Sequence, residues 1–165
     1  MFAAILRGAA AGAAGTTALN AASYLDMAIR ARPASETPQR AIDKIASDSG
    51  HPVPGQGQER QNRLQGLGPL AGIVTGVGIG AVAGLMRPVL TKLPSWFGVT
   101  VLGAAAMAAA DVPLTQLGVT DPRKWSSTEW VSDAVPHLCY GMATYATLSS
   151  LHPARKLVDS AKSDD

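Results

Sequence analysis

The sequence contains little cysteine, few aromatic residues and few charges. Cys139 is the single cysteine among 165 residues, so a disulfide within the chain and a multi-cysteine metal site are both excluded. Aromatic residues make up 5% and charged residues 16% of the chain, and the formal net charge is +2. Because no dense run of basic residues occurs, we expect no nucleic-acid partner.

The motifs of common catalytic and cofactor sites are missing as well. The sequence has no HExxH pattern, no GxSxG pattern and no phosphate-binding loop. The closely spaced glycines at 76–84, GVGIGAVAG, have neither the preceding strand nor the following acidic residue of a dinucleotide site. We therefore expect no enzymatic activity, no cofactor and no bound metal.

Charged residues are segregated along the chain, which leaves long windows with almost none. They concentrate in 30–65, in short segments between the windows and in the C-terminal tail, a distribution that is typical of membrane proteins. The first window has Arg7 inside it rather than ahead of it, so we interpret it as a retained helix and not as a cleaved leader. We predict one membrane domain over 1–165, with an exposed loop at about 47–65 and spans at about 4–29, 67–86, 95–117 and 131–151.

Glycine recurs at every fourth position of the second window. A helix over 67–86 contains no charged side chain and is about 30 Å long, which matches the hydrocarbon thickness of a bilayer. Because glycine lets a second backbone approach closely, we predict that one face of this helix packs against another membrane helix, as in a glycine zipper. The residues that share this face are Gly68, Gly72, Gly76, Gly80 and Gly84.

The segments between the windows suggest a repeated organisation. Residues 38–46 have apolar side chains on one side of a short amphipathic helix, which we expect to lie at the membrane surface. A weak internal repeat aligns 33–46 with 123–136. We therefore predict an all-α integral membrane four-helix bundle, built from two tandem helical hairpins with short interfacial amphipathic helices.

Four ionisable residues lie inside the windows or at their ends: Asp26, Asp111, Asp133 and His137. Such residues are costly at membrane depth and often mark functional sites. Asp133 and His137 are four residues apart on one helix face, where a carboxylate and an imidazole could relay a proton. Each of the four also lies within two turns of a predicted helix end, where capping or contact with headgroup water gives it a structural role. We favour the structural interpretation.

Residues 111–141 contain, in order, a Pro-Leu pair, a Leu-Gly turn, a tryptophan, and a helix with an acidic residue ahead of a His-Leu pair. The residues concerned are Pro113, Leu114, Leu117, Gly118, Thr120, Trp125, Asp133, His137 and Leu138. This order resembles the closing segment of the YagU-like bacterial inner-membrane proteins, although Pro136 stands where the family has glycine. The resemblance implies a multi-span bacterial membrane protein without a settled biochemical role, one member having been linked to acid tolerance.

These features predict a non-enzymatic multi-span membrane protein that acts through helix–helix association, with itself or as an accessory subunit of a larger membrane complex. The alternative is a small transporter or proton-responsive channel that uses Asp111, Asp133 and His137. The expected partners are the lipid bilayer and other membrane helices. We expect a plasma (inner) membrane location with both termini cytoplasmic, because Arg87 and Lys92 flank a tight turn without an acidic residue.

Overall fold

The computed structural model describes residues 1–151, and the regular structure in this range is helical throughout. It comprises helices α1 (Phe2–Arg30), α2 (Thr37–Asp48), α3 (Gly57–Leu90), α4 (Ser95–Gln116) and α5 (Ser127–Ser150), with a 3₁₀ helix at Pro122–Lys124. The prediction of an all-α fold is confirmed for residues 1–151. The part of the predicted domain beyond Leu151 lies outside the described residues.

Among the described helices, α1, α3 and α4 are long and apolar enough to cross a membrane. Helix α5 has 24 residues, but its most apolar stretch is less apolar than those of α1, α3 and α4. Its polar side chains include Tyr140 and Thr144, which are 1% and 0% exposed. These polar groups therefore face the other helices, which lowers the hydropathy of α5 without placing them on the outer surface.

Helix α1 lies between α3 and α5 and packs on both. It is antiparallel to α3, because Gly8 faces Gly84 and Gly12 faces Gly80. Alanine, the strongest helix former, fills most of the sequence between the α1 glycines. The same small side chains that favour the helix allow its close approach to α3.

Helix α5 is antiparallel to α1 as well. Gly15 lies against Tyr140, whereas near the other end of the pair Arg30 donates a hydrogen bond to the hydroxyl of Ser132. We call the end of the helices that carries α2 and the segments 49–56 and 117–126 the connector end. The opposite end, where α1 begins and α3 meets α4, is the terminal end.

Helix α4 packs on α5 as well, and the two helices are antiparallel. Gly98 lies against the ring of Tyr145, and Gly103 lies against the backbone of His137. Helix α5 begins with a capping box in which Ser126 and Glu129 each accept a hydrogen bond from the other's backbone N–H. This cap fixes the point at which the chain turns back toward the terminal end.

Helix α2 packs antiparallel along the first turns of α3. Pro38 and Gln39 lie against Gly68, and Asp43 forms an ion pair with Arg60, nearer the start of α3. The missing side chain of Gly68 lets the start of α2 approach closely. Helix α2 therefore runs alongside the first turns of α3, and its predicted position at the membrane surface stays a prediction.

The exposed loop expected at about 47–65 is limited to 49–56, because α3 begins at Gly57. The extra helical turns lack an apolar period, and their composition therefore resembled that of a loop. They are supported instead by polar pairs along the helix, including Glu59 and Arg63 with an N–O distance of 2.6 Å. The prediction was wrong for the second half of this loop.

Candidate functional site

The predicted glycine face is where α1 and α3 meet backbone to backbone. A Cβ atom at Gly8 would lie 2.7 Å from the Cα of Gly84, and one at Gly12 would lie 2.9 Å from the Cα of Gly80. Gly76, Gly80 and Gly84 are all buried. Contacts this short leave no space for any side chain, so this part of the glycine face is occupied within the chain.

The other two glycines of the predicted face do not contact α1. Gly68 faces the start of α2, and Gly72 has no atom within 4 Å of the position its Cβ would take. A spacing of four residues advances by about 40° beyond a full turn at each step. The face therefore rotates along α3, from α2 at Gly68, through open surface at Gly72, to α1 at Gly76.

A buried polar junction joins α1, α3 and α5 next to the glycine contact. The hydroxyl of Tyr140 donates a hydrogen bond of 2.7 Å to the carbonyl oxygen of Gly76, and the ring packs against Gly15. Thr16 donates to the carbonyl oxygen of Gly12 at 2.8 Å, so its hydroxyl is satisfied within α1. This junction was not predicted from the sequence. Tyr140 and Thr144 are polar residues four apart on one face of a predicted span, and this spacing could have indicated it.

Asp26 forms ion pairs with two arginines at the connector end of α1. Its carboxylate oxygens accept hydrogen bonds of 2.6 Å from Arg30 Nε and 2.6 Å from Arg32 Nε. Arg30 also bonds to Ser132, so the group links the end of α1 to the start of α5. These bonds tie Asp26 to the residues at the end of α1, and the structural interpretation favoured for it stays a prediction.

The three remaining ionisable residues come together between α4 and α5. The carboxyl group of Asp111, on α4, interacts with both Asp133 and His137 on α5. His137 Nδ1 lies 2.8 Å from the carbonyl oxygen of Asp133 and 3.5 Å from Asp133 Oδ2. Asp133 Oδ2 is buried and accepts no hydrogen bond from the residues that the structure describes. We call these three residues the polar cluster.

No protein-family model, curated protein or solved structure matches this chain. The resemblance of residues 111–141 to the YagU-like proteins therefore stays a prediction. What the chain does has to be argued from its own geometry.

The polar cluster has the chemistry of a proton-holding site. A carbonyl oxygen only accepts hydrogen bonds, so the bond to Asp133 places a proton on Nδ1 of His137 and leaves Nε2 as the acceptor of a neutral ring. Asp133 Oδ2 is therefore an acceptor without a donor among residues 1–151, beside the carboxyl group of Asp111. Within residues 1–151, no group of three or more His, Cys, Asp or Glu side chains could hold a metal ion.

Proposed function

We propose that the chain is a plasma (inner) membrane protein whose four long helices cross the bilayer as a bundle of two tandem hairpins, α1–α3 and α4–α5. Helix α5 would be the fourth span, since its 24 residues correspond to about 36 Å and its buried polar groups face α1 and α3. Cytoplasmic termini agree with the cations of the terminal end, Arg7, Arg87 and Lys92, which have no carboxylate near them among the described residues.

Cysteine labelling tests this topology. In a Cys139→Ser background, a single cysteine would replace Lys92, Thr120 or Ser160. A membrane-impermeant thiol reagent would then be added to one side of the membrane at a time. We expect Lys92→Cys and Ser160→Cys to react from the cytoplasmic side and Thr120→Cys from the other. Reaction of Ser160→Cys on the same side as Thr120→Cys would contradict four spans.

We further propose that the protein is not an enzyme and acts by associating with other membrane helices, as a homo-oligomer or in a larger complex. The observation that carries this is the outer face of α4. Because Gly76, Gly80 and Gly84 are occupied by α1, a different surface has to meet the partner. Helix α4 exposes small residues at four-residue spacing, the pattern that favours close packing of membrane helices, at Ala104, Ala105, Ala108 and Ala109.

Two leucines on this face test the association. Ala104→Leu combined with Ala108→Leu adds bulk at exposed positions, so the fold should persist while the partner is lost. The matched control, Ala10→Leu with Ala13→Leu, places the same change on exposed positions of α1. Native mass spectrometry of complexes from mild detergent gives the readout. An unchanged assembly in the α4 variant would overturn the proposal.

The second candidate is a small proton-responsive transporter or channel, and the polar cluster favours it because Asp111, Asp133 and His137 converge from two helices. The protein would be reconstituted in liposomes and flux measured after a pH jump. Asp133→Asn should abolish a pH-dependent flux, because it removes one of the two facing carboxyl groups. Asp48→Asn, on exposed α2, is the control. Absence of flux from correctly inserted wild-type protein would exclude this candidate.

A further inference from the structure

Two arginines line one cleft at the terminal end. The cleft has a volume of about 260 Å³ and lies where the start of α1 crosses the last turns of α3 and α5. Arg7 and Arg87 come together here because the glycine contact pulls the two helices close: Gly8 faces Gly84, which is three residues before Arg87. Apolar side chains, among them Leu85 and Leu148, form the rest of the wall.

Both guanidinium groups donate to backbone carbonyl oxygens and form no ion pair with the residues that the structure describes. Arg7 Nε donates to the carbonyl oxygen of Ala3 at 2.9 Å, and Arg87 Nε donates to that of Leu148 at 2.8 Å. Within residues 1–151, no carboxylate forms an ion pair with either arginine, and the acidic residues of this range all belong to the connector half of the molecule. The remaining N–H donors of each guanidinium are thus available for an anion.

The surroundings of the cleft are apolar and exposed. Phe2 and Leu6 are 73% and 54% exposed, and Leu85 and Met86 are 42% and 50% exposed on the neighbouring turns of α3. An anion that also carries hydrocarbon chains would satisfy the arginines and cover these side chains at once. A soluble phosphate would satisfy the arginines alone.

We propose that the Arg7–Arg87 cleft binds a phosphate group, and that the headgroup phosphate of an anionic phospholipid is the source that the apolar surroundings favour. The preference for a lipid rests on the membrane placement proposed above. Binding of a phosphate group by the arginine pair does not depend on that placement, because inorganic phosphate can reach the pair without a bilayer.

The test is titration of the full chain in mild detergent with phosphatidylglycerol, phosphatidylcholine and inorganic phosphate, followed by native mass spectrometry. We expect phosphatidylglycerol to bind about tenfold more tightly than phosphatidylcholine, whose choline cation the arginines repel. Arg7→Gln should weaken phosphatidylglycerol binding about tenfold or more, since it removes charge-assisted hydrogen bonds. Arg7 is the residue of choice because it bonds only within α1, whereas Arg87 also holds α5.

Lys92→Gln is the matched control, because it removes a cation of the same end that does not line the cleft. The affinity of Lys92→Gln for phosphatidylglycerol should stay within about twofold of the wild-type affinity. Equal affinities of Arg7→Gln and Lys92→Gln for every ligand would overturn the proposal. Arg7-dependent binding of inorganic phosphate without lipid preference would support the phosphate site and assign its source to the water phase.

Carbonate extraction separates this inference from the membrane placement. A protein released from membranes by carbonate would contradict the proposed four spans. A protein retained in membranes that binds phosphatidylglycerol and phosphatidylcholine alike, and phosphate not at all, would contradict only the cleft.

Discussion

The two hairpins of this chain are packed by different means. Between α1 and α3, glycine faces glycine, so the atoms in contact belong to two backbones. Between α4 and α5 the contact is mixed: Gly141 approaches the backbone of Gly103, but Gly98 faces the ring of Tyr145. A side chain can turn and a helical backbone cannot, so the first contact permits one geometry and the second leaves room for adjustment.

The ionisable groups follow the same division. Along the described glycine face the α1–α3 contact contains no carboxyl or imidazole group, whereas the polar cluster lies between α4 and α5. Rigid packing in one hairpin and an adjustable, polar contact in the other suit a protein in which the first hairpin supports the second. The predictions below test this difference, beginning with the change that we expect to matter most.

Gly80→Ala should disrupt the α1–α3 contact. The added methyl group would meet the backbone of Gly12, and neither helix can move away without losing the neighbouring contacts. We expect the free energy of unfolding in detergent to fall by about 1–3 kcal/mol. Gly72→Ala, where the new methyl group meets nothing, should instead be neutral or stabilising by up to about 1 kcal/mol. Equal stability of the two variants would refute the rigid contact.

Tyr140→Phe should weaken the link that ties the second hairpin to the first. The substitution removes the 2.7 Å hydrogen bond to Gly76 but keeps the buried ring, so the expected loss is about 1 kcal/mol. Thermal unfolding in detergent gives the measurement. Tyr24→Phe is the control, because Tyr24 is 63% exposed and should tolerate the change. A wild-type melting temperature for Tyr140→Phe would show that the link contributes nothing.

Gly98→Ala should have a smaller effect than Gly80→Ala, although both add one methyl group. At Gly98 the obstacle is the ring of Tyr145, which can turn aside. The gain in helix propensity offsets part of the remaining strain, so we expect a change within about 1 kcal/mol. The same denaturation assay compares the two variants directly. A loss as large as that of Gly80→Ala would mean that the second hairpin is as rigid as the first.

The smallest effect is expected in the connector of the second hairpin. Asp121 accepts a hydrogen bond from Arg123 Nε at 2.9 Å, and the Arg123 guanidinium lowers the pKa of this partly exposed carboxyl below its usual value. A group with a lowered pKa stabilises the fold at neutral pH, and this contribution disappears as the pH falls through the folded-state pKa. Asp121→Asn should therefore lower the melting temperature slightly at pH 7, and this difference should shrink as the pH falls into the acid range. A difference that persists in acid would rule out the ion pair as its cause.

Local patterns in the sequence were sufficient to predict the helical class and much of the helix placement. Helix α4 covers Ser95–Gln116 against a prediction of 95–117, because tryptophan, proline and a long apolar run mark its limits. The start of α3 was missed, since polar pairs such as Glu59 with Arg63 leave no apolar period.

Contacts between distant segments could not be predicted in the same way. The spacing of the α3 glycines indicates that some backbone comes close, but not that Gly8 and Gly12 of α1 supply it. Likewise, the i,i+4 spacing paired Asp133 with His137, whereas the approach of Asp111 depends on how α4 packs on α5. Predicting the hydrogen bond from Tyr140 to Gly76 would have required the relative positions of α1, α3 and α5.

Helix α3 continues without interruption from the turns that hold α2 to the glycines that hold α1. Its 34 residues correspond to about 51 Å, well beyond one hydrocarbon thickness, so its first turns project from the bilayer in the proposed placement. The projecting part carries α2 through Gly68 and the Arg60–Asp43 ion pair. Because one continuous helix carries both contacts, the orientation of α2 relative to α1 is set by α3.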